Sequence, residues 1–191
     1  MPDAAFISAV HAAAGRTEVC AAVEAVYADL QRQIDLRRPL CQLSGRCCHF
    51  EEFGHRLYVT TMELACFVAG LGQARARDGT EAPADSGDGR GCPFQAGKLC
   101  GVHPIRPFGC RIYFCDATAQ EWQQEQYAHF HARLRRLHDE LAVPYFYVEW
   151  RQALTDLAAN PGGPCSGTAG VAPSRNGRTE CGPPDILGPG E

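Results

Sequence analysis

Two short stretches hold seven of the eleven cysteines in this chain: CQLSGRCCH, from Cys41 to His49, and GCPFQAGKLCGVHPIRPFGCRIYFC, from Gly91 to Cys115. Adjacent thiols such as Cys47 and Cys48 are poor packing material and are prone to oxidation when nothing holds them. The spacing is Cys41-x5-Cys47-Cys48, a long gap, then Cys92-x7-Cys100-x9-Cys110-x4-Cys115. A fold that satisfies it must bring two distant loops onto a common centre, with the remaining segments serving as scaffold. Thiolates suit soft and borderline metals, and four of them complete a tetrahedral zinc site or hold a [4Fe–4S] cluster. Seven exceed one such need, so either two metals are bound or some thiols are supporting or redox partners.

Redox compartment decides between metal ligation and disulfides. The chain is 191 residues long with an odd cysteine count, unlike a small secreted disulfide scaffold. Its first residues, MPDAAFISAVHAAAGRTEVC, place Asp3 where a secretory signal carries basic charge, and Ser8 and His11 interrupt the apolar run. A cytoplasmic address is therefore expected, where clustered cysteines serve as metal ligands or redox thiols more often than as disulfides. The net charge of -4 offers no general attraction to nucleic acid or anionic membrane, and no apolar run reaches the roughly 20 residues of a membrane span.

The scaffold reads as mainly α, with a small irregular or β cysteine-rich region and helices packed around a metal-stapled loop cluster. A helix is predicted over 3–38, with Gly15 as a possible break and Pro39 as its stop. RLYVT (56–60) is a strand candidate. TTMELACFVAGLG follows as a helix with capping-box spacing at Thr60 and Glu63 and a C-terminal stop at Gly72. Residues 73–91 read as a connection, and QAGKL (95–99) as a tight turn that returns Cys100 beside Cys92. A second long helix is expected over 119–142, with a capping box at Thr118 and Glu121 and an apolar stripe of Trp122, Phe130, Leu134, Leu137 and Leu141. PYFYVEW (144–150) reads as a buried extended segment, followed by a helix to about Ala159. The organisation is one cysteine-cluster domain, 1–160, with its motif core at 41–116, and a disordered Gly/Pro-rich tail, 161–191, containing Cys165 and Cys181.

Cys41, Cys47, Cys48, Cys92, Cys100, Cys110 and Cys115 are the expected metal ligands. His49 and His103 lie inside the same loops and offer imidazole as an alternative ligand, secondary to the cysteines because surplus thiols already exist. Cys20 and Cys66 sit on apolar helix faces and read as packing cysteines. His129, His131 and His138, interleaved with Arg133, Arg135 and Arg136, read as a solvated basic face. Arg106 and Arg111 flank Cys110, with charge to offset thiolates and donors that can reach sulfur or a buried carboxylate.

The two blocks together resemble the YkgJ-like cysteine-cluster proteins, the CxxCxxCC zinc- or iron-chelating domains. Cys92-Pro93-Phe94 matches the CPF element of that family. Cys100, Val102, His103, Arg106, Pro107, Cys110, Arg111 and Cys115 match its C-x-I-[YH]-x-x-R-P-x-x-C-R-x-[FY]-x-C run in register. The likeness covers residues 41–116. It departs from the family at Ser44, where a further cysteine is common; a serine oxygen is a weaker partner for a soft metal. The resemblance implies a metal-binding protein with an iron–sulfur cluster, favoured by the cysteine surplus, or zinc or iron ions. Some relatives are flagellin lysine methylases, so a protein-lysine methyltransferase-related enzyme is the alternative. No glycine-rich turn after a strand supports it, because AGLG (69–72) ends a helix. A zinc-stabilised adaptor is the third reading; its protein partner is undefined, and nucleic acid is disfavoured by the acidic charge.

Overall fold

The computed structural model describes residues 4–78 and 91–160. The connection at 79–90 and the tail with Cys165 and Cys181 lie outside the described residues. Six α-helices and two small antiparallel sheets make up the described chain: α1 (Ala4–Ala14), α2 (Thr17–Arg37), β1 (Tyr58–Thr60), α3 (Thr61–Asp78), β2 (Gln95–Ala96), β3 (Leu99–Cys100), α4 (Phe108–Ile112), α5 (Gln120–Glu140), β4 (Tyr147–Glu149) and α6 (Trp150–Ala159). The protein is mainly helical with a small irregular cysteine-rich region. Among the described residues no helix is long and apolar enough to cross a membrane.

The first helical region breaks at Gly15, as its sequence predicts. Arg16 then locks the corner, donating from its guanidinium to the Leu141 carbonyl at 3.0 Å. α2 ends at Arg38, whose φ of 51° is left-handed and whose N–H reaches the Ile34 carbonyl, a C-terminal cap that Pro39 prevents from continuing. Val19, Val23, Val26, Leu30 and Ile34 recur at helical spacing on α2 and are all buried. This face packs on α3 and α5, and α1 packs on α3 as well.

α3 opens with the capping box read from the sequence. The Thr60 N–H donates to Glu63 Oε2 at 3.0 Å, and the Glu63 N–H donates to Thr60 Oγ1 at 3.4 Å. The helix does not stop at Gly72 but runs on to Asp78. A glycine inside a helix costs only about 1 kcal/mol relative to alanine, and the continuing turns offset it. At the other long helix the predicted Thr118–Glu121 box is replaced. Asp116 caps a 3-10 turn at Ala117–Ala119, accepting from the Thr118 N–H at 2.9 Å and the Thr118 hydroxyl at 2.7 Å, so the threonine is already engaged before α5 begins.

β1 pairs with β4 in the register Tyr58↔Glu149, Val59↔Val148 and Thr60↔Tyr147. The 144–150 segment is therefore extended only at its end and only partly buried, with Tyr147 38% exposed. Trp150, at 1% exposure, starts α6 instead. It stacks edge-on against Phe67 of α3, with centroids 4.9 Å apart, and lies 6.1 Å from Phe94 of the second cysteine block. Burying each of these rings contributes roughly 2–3 kcal/mol, and the cluster anchors the CPF element to the helical body.

Candidate metal centre

Glycines set how the two cysteine blocks meet. Gly45 adopts φ +76° before the 3-10 turn Arg46–Cys48. A Cβ there would lie 2.6 Å from the movable end of the Gln95 side chain at Nε2, so the left-handed φ, more than the contact, favours glycine. On the facing block, the Cys92 N–H donates to the Cys48 carbonyl at 2.8 Å. A Cβ on Gly91 would stand 3.1 Å from that same carbonyl. The QAGKL turn forms as predicted: β2 pairs with β3, Gln95 opposite Cys100, around Gly97 at φ +61°.

Cys47 Sγ lies 4.0 Å from Cys48 Sγ. Cys48 is 6% exposed and Cys92 5% exposed, and the two thiols interact. The Cys48 S–H stabilises a thiolate on either side. It holds Cys47 down to about 6, helped by the Arg106 charge and opposed by burial. It likewise holds Cys92 down to about 7. Cys48 is correspondingly pushed far up by hydrogen bonding to Cys47 and Cys92, and then by burial. The Trp150 indole N–H has no geometric hydrogen-bond partner among the described residues, yet stands near enough to Cys92 to favour its thiolate. Burial raises Cys110 well above the usual thiol range and raises Cys100 also, with Cys92 and Cys47 adding to both shifts and Arg106 opposing them.

Five predicted ligands, Cys47, Cys48, Cys92, Cys100 and Cys110, thus share one electrostatic neighbourhood. Cys41 and Cys115 form a flank. The Leu40 N–H donates to Asp116 Oδ2 at 3.1 Å, tying the backbone beside Cys41 to the side chain of the residue after Cys115. Ser44 places its Oγ 3.6 Å from Cys115 Sγ. Among the described residues no group of three or more His, Cys, Asp or Glu stands ready around a single metal position. The Cys47–Cys48 pair is nonetheless compatible in spacing: two thiolates bonded at about 2.3 Å in tetrahedral geometry lie roughly 3.8 Å apart, near the 4.0 Å between Cys47 and Cys48.

The remaining polar groups and cysteines make contacts of their own. His49 engages Gln95 Nε2 at 3.1 Å through Nε2 and Glu52 at 3.5 Å through Nδ1. His103 lies exposed on a 3-10 turn. Arg111 spends its donors on the Arg106 and Pro104 carbonyls, at 2.8 and 2.6 Å, and lies 4.3 Å over the Tyr27 ring rather than on sulfur. Cys20 and Cys66 contact each other across α2 and α3, away from the loop thiols. The expected solvated face of α5 is corrected at His138, which is 2% exposed and bonds the Val143 carbonyl at 3.1 Å through Nδ1. The turn after α5 folds back over that ring.

The sequence reading missed His55 and Gln123 beside the cysteines, and the indole of Trp150. Nothing in their local spacing marks them; long-range packing brings them there. No family model matches the chain, and neither a curated protein nor a solved structure matches it.

Proposed function

We propose that this chain is a metal-binding protein that holds an iron–sulfur cluster, or zinc or iron ions, through Cys41, Cys47, Cys48, Cys92, Cys100, Cys110 and Cys115. The meeting of Cys47 and Cys48 with Cys92 across the 2.8 Å backbone bond carries the reading. It joins two sequence-distant thiol blocks at a buried point, with Cys100 and Cys110 in the same field. Two lowered thiols and a nearby arginine supply what a soft cation needs: thiolate charge at neutral pH and a cation that limits its excess. The cysteine surplus favours iron–sulfur, and the resemblance of residues 41–116 to the YkgJ-like domains supports the same class. A cluster bound here would supply electron transfer, and a zinc ion would supply cross-linking of the two loops.

The test is metal and acid-labile sulfide content after anaerobic purification. Iron with sulfide selects the cluster, and zinc without sulfide selects the structural ion. A Cys48→Ser/Cys92→Ser variant should lose most of the metal, and Cys20→Ser/Cys66→Ser should keep it. A metal-free native protein that takes up neither zinc nor a reconstituted cluster would overturn the reading.

A further inference from the structure

Beside the thiols lies a cleft of about 410 Å³, between the 50–58 segment, α4 and the first turns of α5. Phe50, Tyr58, Tyr113 and Tyr127 give it aromatic walls, and Cys47 and Cys110 line it too. Three of the rings are already held by neighbours. Tyr58 stacks on Tyr147 at 5.1 Å, Tyr113 stacks on His55 at 4.8 Å, and Tyr127 packs on Phe108 at 5.1 Å. Rings fixed in this way lose little freedom on binding, so a ligand ring laid against them keeps most of its burial energy.

The charge on the lining is one-sided. Arg56 is exposed and is the only lysine or arginine on the wall, and no Asp or Glu among the described residues joins it there. The Arg56 guanidinium makes no hydrogen bond or ion pair with a described residue, whereas Arg111, Arg133 and Arg151 all direct donors to carbonyls or carboxylates. Its planar fork is therefore free for an acceptor from outside. Gln120 and Gln124, exposed on the first turns of α5, add neutral amides along the same wall. A cation without a counter-ion, on a cleft walled by rings, selects a ligand that joins one negative charge to a planar ring.

We infer that this cleft binds a small aromatic monocarboxylate. Arg56 pairs with the carboxylate through two parallel N–H donors, and the ring lies among the side chains of Phe50, Tyr58, Tyr113 and Tyr127. A phosphate ester carries close to two negative charges at neutral pH, more than a single arginine balances, and an uncharged arene leaves the arginine unused. The seated ring lies against Cys47 and Cys110, two of the proposed metal ligands. The assignment does not rest on the metal reading, because the rings and Arg56 define the cleft whether or not the thiols hold a metal.

2-Naphthoate is the probe, titrated into the full chain by ligand-observed and protein-observed NMR, with metal content measured on the same sample. Saturable binding below about 1 mM is expected, with shifts confined to residues lining the cleft. 2-Naphthamide, of nearly the same shape without the charge, should bind about fivefold more weakly, the upper end for an ion pair still open to water. Cyclohexanecarboxylate keeps the charge but not the aromatic ring, and should bind severalfold more weakly as well. Arg56→Gln should lower the naphthoate affinity to that of the amide and leave the amide unchanged; Arg56 is exposed, so the substitution removes no buried packing. Equal affinity for the acid and the amide in the native chain would overturn the inference. So would a preference for the acid that survives Arg56→Gln, or no saturation at about 1 mM. None of these results depends on whether metal is found.

Discussion

Glu63 shows how much one residue of the sequence can organise. It is 2% exposed, yet its carboxylate accepts from four donors: the Thr60 N–H and hydroxyl at 3.0 and 2.9 Å, the Phe108 N–H at 2.9 Å and the Tyr27 hydroxyl at 3.3 Å. One side chain thereby joins α2, the start of α3 and the start of α4, the helix that carries Cys110. Glu63→Gln turns one oxygen into an NH2 facing donors, and should destabilise by about 1–3 kcal/mol in urea denaturation. Burial raises the Glu63 carboxyl above its usual 4.5, against the pull of its donors. A raised carboxyl binds more proton in the folded state, so its contribution is fully present below pH 4.5 and is lost as pH rises through the folded value. The stability of the native chain relative to Glu63→Gln should therefore fall as pH rises from about 4.5. A difference that grows with pH instead would show that the four donors outweigh burial.

At the scale of elements, Asp116 links the flank of the site to α5. Its carboxylate takes the Leu40 N–H, the Thr118 N–H and the Thr118 hydroxyl. Asp116→Ala removes a cap and a long-range tie together, and should cost about 1–2 kcal/mol. It should also raise the alkylation rate of Cys41 and Cys115 in metal-free protein, read by mass spectrometry, while Cys48 and Cys92 stay protected. The 3-10 turn before Cys48 makes a separate demand. Gly45→Ala places a methyl 2.6 Å from Gln95 Nε2 in a left-handed residue, which should destabilise by about 1–2 kcal/mol and lower metal uptake. Unchanged thermal stability and metal content in Gly45→Ala would mean that the hairpin can back away without separating the thiol blocks.

For the whole molecule, two sources of cohesion are expected within one buried core. α1, α2, α3 and α5 join through buried Val, Leu, Ile and Phe side chains, which hold without a cation. The loop blocks have few regular backbone bonds, and both loop-closure entropy and the repulsion between the lowered Cys47 and Cys92 thiols oppose closure. Metal bound at 100 times its dissociation constant would add about 2.7 kcal/mol. Hydrogen exchange on chelated against metal-loaded protein should show lost protection at 41–57 and 91–116, with α1, α2 and α5 kept. Equal protection in both states would show that the cysteines do not staple the fold.

Local rules made a large part of this protein legible from its residues. The break at Gly15, the stop at Pro39, the Thr60–Glu63 box and the turn around Gly97 depend on neighbours within a few positions, and each formed as read. The thiol blocks were legible as a set for the same reason, since spacing is a local property. The errors fall where a distant or competing partner wins. α3 passes Gly72 because the cost of one glycine is small beside the turns gained, Thr118 is taken by Asp116 before Glu121 can use it, and Val143 folds back to bury His138. Which thiols touch, and that Gln123 and His55 come to lie beside them, follow from the packing of α4 and α5 against the first loop. Periodicity says which face of a helix is apolar, but the partner it meets is settled only when the core closes.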